Sequence, residues 1–171
     1  SSMAEIEGLV RALREGDDDA KTAAAARLLR EFACYSSTNR VLIAEAGGIP
    51  LLVELLRDGS ADAKFSTVGA LRELAHFNGA NAVLIAEAGG IPLLVELLRD
   101  GSPDVAGCKL LTARVLGSLA SNNEANKSAI AEAGGIAPLV DLRRNGPGHF
   151  GDEDAKLWAA WALRILASNN D

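Results

Sequence analysis

The sequence predicts an all-α fold, a solenoid of stacked helical repeats, on three observations. The segment VLIAEAGGIPLLVELLRDGS occurs twice, letter for letter, at Val41–Ser60 and Val83–Ser102, and a looser copy, IAEAGGIAPLVDLRRNG, runs from Ile130 to Gly146. The copies are regularly spaced, 42 residues from Ile43 to Ile85 and 45 from Ile85 to Ile130. A period in that range marks units that bury their apolar faces only by stacking on a neighbour. Finally, 49% of the chain is apolar but only 4% is aromatic, and strand-type alternation is absent. Leu, Ala, Ile and Val must therefore build the core, which suits closely spaced helices.

The 171 residues are read as a single solenoid domain with a partial unit at about 3–38 and three further units at about 39–80, 81–125 and 126–171. Ser1-Ser2-Met3 has the look of a tag scar before an original Met, so Ser1 and Ser2 are left out of the fold reading. The net charge of −6 supplies no general attraction to phosphate, so neither nucleic acid nor an anionic membrane is expected as a partner. Cys34 and Cys108 lie in unlike contexts, and two free thiols are expected rather than a disulfide. With no signal peptide, transmembrane run or lipidation motif in the sequence, an intracellular location, cytoplasmic or nuclear, is expected.

Each unit reads as three helices. The first is short and is predicted to start at an Asn N-cap: Asn39, Asn81 and Asn126 hold the equivalent place. It ends at a glycine pair, Gly47-Gly48, Gly89-Gly90 or Gly134-Gly135, where one glycine supplies a left-handed residue and the second a tight change of direction. The second helix follows at once, with Pro50 and Pro92 in its first turn, where a missing N–H costs nothing. Ile49, Leu52, Val53 and Leu56 fall on one face. Gly59, Gly101 and Gly146 terminate it.

The third helix is predicted to be capped by Ser60 and Ser102, with Pro103 as a first helical residue. Asp62, Asp104 and Asp154 place negative charge near its N-terminus. It runs through AAAARLLREFA, TVGALRELA, LLTARVLGSLA and AAWALRILA, ending at Ala33, Ala75, Ala120 and Ala167. Ile6–Gly16 matches a second helix, so the chain opens mid-repeat. Both ends are expected to expose Leu and Ala surface and to favour self-association.

Two irregularities break the pattern. About three extra residues surround Val105-Ala106-Gly107, and Gly146–Gly151 is inserted before the last third helix. In that unit Arg143 replaces the leucine that is Leu56 and Leu98 elsewhere. The insertion is either a surface loop whose Phe150 patches the site or a partner-binding loop.

The three-helix unit, with its AEAGGIPLLVELLRDGS join and ALRxLA-like third helix, resembles the armadillo repeat over essentially the whole chain, Met3 to Asn170. The resemblance implies a right-handed superhelix whose third helices line a concave groove that binds a protein or an extended peptide. In the nuclear-import adaptors such grooves carry Trp and Asn in a WxxxN pattern. Here the Trp positions correspond to Arg27, Gly69, Arg114 and Trp161, and the Asn positions to Glu31, Glu73, Ser118 and Ile165. Only Trp161 keeps the family residue. Asn both donates to and accepts from a peptide backbone, whereas Glu only accepts and Ile does neither.

The groove candidates are therefore Arg27, Glu31, Glu73, Arg114, Ser118, Trp158, Trp161 and Ile165. Arg27 and Glu31 are spaced i, i+4 for an ion pair. Glu73 faces Gly69 and is expected to lack such a partner, which would leave it to meet a basic ligand. Trp158, Trp161 and Ile165 share one face of the last helix, and Leu157, Ala160, Leu163 and Leu166 are assigned to the core. The Trp stripe is predicted to point along the groove or towards a following unit, with Trp161 near solvent.

No catalytic constellation, cofactor site or metal site is expected. His76 and His149 are far apart and show no ligand spacing with the cysteines. The glycine pairs lack the strand and Lys-Ser/Thr of a phosphate loop. Asp17-Asp18-Asp19 and Asp152-Glu153-Asp154 fit capping and dipole roles better than Ca²⁺ binding. The leading reading is a non-enzymatic interaction scaffold. The alternatives are an engineered or structural repeat scaffold without a natural ligand, suggested by the letter-for-letter repeat, and the interaction part of a larger enzyme such as a ubiquitin ligase.

Overall fold

The structure, a computed structural model, describes residues 2–147 and 152–168. His149, Phe150 and most of the inserted loop lie outside the described residues, as do Asn169 to Asp171. The chain is an all-α solenoid. Its second-type helices are α1 (Ser2–Glu15), α4 (Gly48–Asp58), α7 (Gly90–Arg99) and α10 (Ile136–Asn145). The short first-type helices are α3 (Ser37–Glu45), α6 (Gly79–Glu87) and α9 (Glu124–Glu132). The third-type helices are α2 (Asp18–Arg27, continued by a π-helical turn Leu28–Ala33), α5 (Ala61–Ala75), α8 (Lys109–Ala120) and α11 (Asp152–Ala167).

The second and third types each stack on their own kind. α1, α4, α7 and α10 pack in one row, and α2, α5, α8 and α11 in another. Between the rows lies one continuous core of small and branched side chains, in which Leu52, Leu71, Leu94 and Leu116 are fully buried.

The corner between first and second helices depends on its glycine pair. Gly47 and Gly89 adopt φ of 84° and 86°, a left-handed conformation that costs a side-chain-bearing residue energy. The next glycine serves close approach: a β-carbon on Gly90 would meet Ile85 Cγ2 at 2.9 Å and the Ile85 carbonyl oxygen at 3.0 Å. The result is an 81° bend between α6 and α7.

The first-helix caps lie three residues upstream of the predicted ones. Ser36, Asn78 and Asn123 are the N-caps, and their side chains accept from the backbone N–H of Asn39, Asn81 and Asn126. The predicted cap asparagines do something else. Asn81 Nδ2 donates to the Leu74 carbonyl at 2.8 Å and Asn126 Nδ2 to the Leu119 carbonyl at 2.8 Å, both buried; Asn39 reaches Phe32 more loosely, at 3.4 Å. These bonds satisfy carbonyls near the end of the preceding third helix, which have no partner within that helix.

The third helices end at the alanines predicted for them, and differences in length are taken up locally. The first unit has one residue more between its cap, Asp17, and Ala33 than α5 has between Ser60 and Ala75, and the π-helical turn absorbs it. The three extra residues of the third unit form a 3₁₀ turn, Pro103–Cys108. Ser60 caps α5 through its hydroxyl, but Ser102 makes no side-chain cap bond; Asp100 Oδ1 accepts from its N–H instead.

The ends of the stack differ from each other. The exposed positions of α1 are Ser2, Met3, Ala4, Gly8 and the charged residues Glu5, Glu7, Arg11, Arg14 and Glu15. The expected exposed leucines are therefore missing at the first end, where Met3 and Ala4 are the exposed apolar side chains. At the other end Leu157 is 66% exposed and Ile136 is exposed as well. This corrects the core assignment for α11. Its buried stripe is Ala155, Ala159 and Ala162, small residues that let α11 lie close against α8, while Leu157 faces away and Leu163 and Leu166 are only partly covered.

Candidate functional site

The face of the third-helix row carries a cleft of about 670 Å³. Arg72 from α5, Arg114 and Ser118 from α8, and Trp158 and Trp161 from α11 line it, and Phe77 stands at its edge. Helical spacing aligns the two tryptophans, and α8 seats them. Gly117 has no side chain, so the Trp161 ring packs on its backbone; a β-carbon there would come within 2.7 Å of Cε3. Trp158 meets Trp161 edge to face, with centroids 5.3 Å apart and planes at 87°. The Arg114 guanidinium lies over the Trp158 ring, 4.0 Å from its centroid. The stripe thus points along the third-helix row, one of the two directions expected.

Arg114 is partly buried, and its pKa is pushed down first by burial and then by the charge of Arg72, with Glu73 opposing. Among the described residues it has no ion-pair partner.

The remaining candidates sit differently. Arg27 and Glu31 form the expected i, i+4 pair at 2.9 Å, with both side chains about half exposed, 46% and 50%. The hydrogen bond from Arg27 lowers the Glu31 pKa and raises that of Arg27. This pair lies outside the cleft lining. Ile165 also lies outside it, partly buried against the core.

Glu73 contradicts its expected freedom. Its carboxylate takes Arg72 at 3.0 Å and Arg40 at 3.6 Å, and its side chain is only 12% exposed. Arg40 also donates from Nε to the Ala33 carbonyl at 2.7 Å. Glu73 is therefore tied to Arg40 of α3 within its own unit, while Arg40 reaches the preceding unit through the Ala33 carbonyl, and Glu73 is not positioned to receive a basic ligand.

Arg72 and Phe77 are among the cleft residues that the sequence reading missed, with others from the turns after α5 and α8 and from α6. Phe77 has φ of 47° and is 96% exposed, with its ring 4.3 Å from that of His76. The signal was present: the position equivalent to Phe77 in the next unit is Asn122, with φ of 53°. Asn tolerates that conformation and Phe does so poorly.

Trp161→Ala should lower the unfolding free energy by about 1–2 kcal/mol, in keeping with a half-buried ring. With Trp158→Phe as background, Trp161 emission should be partly quenchable by iodide. A loss above about 3 kcal/mol with complete resistance to iodide would make the ring a core residue.

Among the described residues no group of three or more His, Cys, Asp or Glu is placed to hold a metal ion. No single helix among them is long and apolar enough to cross a membrane.

A row of third helices carrying a cationic and aromatic cleft defines a helical-repeat scaffold. Residues 36–76 match the Armadillo/beta-catenin-like repeat. An engineered protein superposes with a TM-score of 0.82 and 30% identity, over 96% of this chain and 63% of that one. A designed armadillo repeat protein in complex with the peptide (KR)4 gives a TM-score of 0.78 and 26% identity, over 94% and 64% of the two chains. The armadillo repeats only protein of Plasmodium falciparum shares the fold, with a TM-score of 0.76 at 23% identity over 89% and 64%. The present chain spans less than two thirds of the length of each of these structures. Comparison with curated protein sequences gives no match. The chain thus carries an armadillo repeat at residues 36–76 and has the fold of armadillo-repeat solenoids.

Proposed function

We propose that the protein is a non-enzymatic scaffold that binds an extended peptide or protein segment along its third-helix face. The observation that carries this reading is the cleft itself, in which Arg114 lies over the Trp158 ring and Trp158 meets Trp161 edge to face. Trp and Arg are the residue types that most often dominate binding energy. Similar structures support it, namely the designed armadillo repeat protein with (KR)4 and computationally designed armadillo repeat proteins for modular peptide recognition. The net charge of −6 favours a protein partner over nucleic acid. The free thiols of Cys34 and Cys108 support a reducing, intracellular setting.

The test is selection from a random peptide library anchored through its C-terminus, followed by titration of the selected peptides. Tryptophan emission should shift to the blue on binding. Trp158→Ala and Trp161→Ala should each weaken affinity by at least about tenfold. Failure to select any peptide, or binding indifferent to both substitutions, would count against the reading.

A second reading, an engineered repeat scaffold, is favoured by one observation: Val41–Ser60 and Val83–Ser102 are identical. It is compatible with a working groove. Self-association through the Leu157 end remains a separate proposal, resting on that exposed leucine.

A further inference from the structure

We propose that the cleft selects an extended peptide in which an acidic side chain lies close to a large apolar one, Arg114 taking the carboxylate while Phe77 and the Trp pair take the apolar group. The proposal rests on the peptide-groove reading above and names the chemistry of its ligand.

Charge is the first argument. The cleft lining includes Arg72 and Arg114 and no Asp or Glu, although the protein as a whole carries −6. The carboxylate beside it, Glu73, is engaged by Arg40 and Arg72 and largely covered. Arg114 is thus a partly desolvated cation without an ion pair among the described residues. The guanidinium carbon lies 4.0 Å from the Trp158 ring centroid. A cation–π contact does not consume the fork of N–H donors, which can still meet an acceptor. A carboxylate matches this fork and offsets the solvation that the guanidinium loses on partial burial. A Lys- or Arg-rich peptide would set like charge against Arg114.

Backbone strain is the second, independent argument. A bulky residue in the left-handed region is uncommon and needs a reason. Phe77 holds that conformation while burying almost none of its ring. The turn itself requires a left-handed residue, since Asn122 has φ of 53° at the equivalent place, so what calls for a reason is an exposed aromatic side chain there. Its place in the cleft lining supplies one, because a bound apolar side chain would cover it against the tryptophans. The equivalent residue of the preceding unit, Tyr35, is also aromatic and 81% exposed.

The test reads the composition of peptides selected from the C-terminally anchored library, which presents no free terminal carboxylate. Selected sequences should be enriched in Asp or Glu near Phe, Leu, Ile or Trp. A synthetic peptide taken from them should bind R114Q at least about tenfold more weakly. Arg114→Lys should recover part of that loss, and affinity should fall as salt is added. Phe77→Asn, which puts at this turn the residue type found at Asn122, should weaken binding without lowering the melting temperature. Basic or neutral selected sequences that still depend on Trp161 would overturn this inference and leave the groove reading standing. So would an acidic peptide that binds R114Q as well as it binds the parent. If no peptide is selected, or binding ignores Trp158→Ala and Trp161→Ala, both readings fall together.

Discussion

Ile85→Ala should lower the unfolding free energy by about 2–5 kcal/mol, the range for truncating a fully buried aliphatic side chain. Ile85 is wholly buried and its Cγ2 occupies the space that a β-carbon on Gly90 would need. The bend between α6 and α7 closes over this methyl group, so removing it leaves a void that the glycine cannot fill. Its neighbour Val83 is an internal control, since it is exposed; Val83→Ala should stay within about 0.5 kcal/mol. The twin position supplies a second check. Ile43 is equally buried and makes the same contact with Gly48, so Ile43→Ala should cost a similar amount. Urea denaturation of the three variants measures this, and equal midpoints for Ile85→Ala and Val83→Ala would show that the corner is not packed as described.

Asn81→Ala should cost about 1–3 kcal/mol, through loss of its hydrogen bond and exposure of the Leu74 carbonyl to an unpaired state. The sign is informative. Alanine is the better helix former, so propensity alone would make this change stabilising. Asn126→Ala should match it, because its bond to Leu119 has the same 2.8 Å length and is also buried. Asn39→Ala should cost less, its bond being 3.4 Å and only part-buried. Thermal unfolding that ranks Asn39 with the other two, or finds Asn81→Ala stabilising, would remove the link between units from the account of stability.

What was legible in the sequence was whatever repeats. The glycine pairs, the alanines closing each third helix and the apolar faces recur at a fixed spacing, and their local chemistry requires no knowledge of neighbours. The cap assignment failed where two suitable residues stood three apart. Asn78 and Asn81 are both good caps by type, and the choice was decided by the Leu74 carbonyl on the preceding helix. Glu73 was misjudged for a similar reason. Its own helix offers Gly69 at i−4, while Arg40 arrives from a different helix, 33 positions earlier in sequence. On α11, Leu157, Ala160, Leu163 and Leu166 were assigned to the core, yet the close packing of α8 and α11 selects Ala155, Ala159 and Ala162. Trp161 could be named as a site residue from the pattern, but not its seat, which is formed by the missing side chain of Gly117. Phe77 went unnoticed because its significance is a backbone angle.

The identity of Val41–Ser60 and Val83–Ser102 has a consequence for how the chain finds its fold. A nascent α1 meets two indistinguishable candidates for the place of α4. The contact between units repeats as well: Val10 approaches Gly48 as Val53 approaches Gly90 and Val95 approaches Gly135. Loop closure discriminates weakly, because each doubling of the intervening chain adds only about 0.6 kcal/mol. Correct pairing is therefore enforced by the parts that are not alike. Leu29 fits over Gly69, where a β-carbon would stand 2.7 Å from Cδ2, and Trp161 fits over Gly117. These non-identical contacts, one of which seats a cleft tryptophan, thus serve as the address label that keeps the wrong copy from docking and trapping a misregistered intermediate.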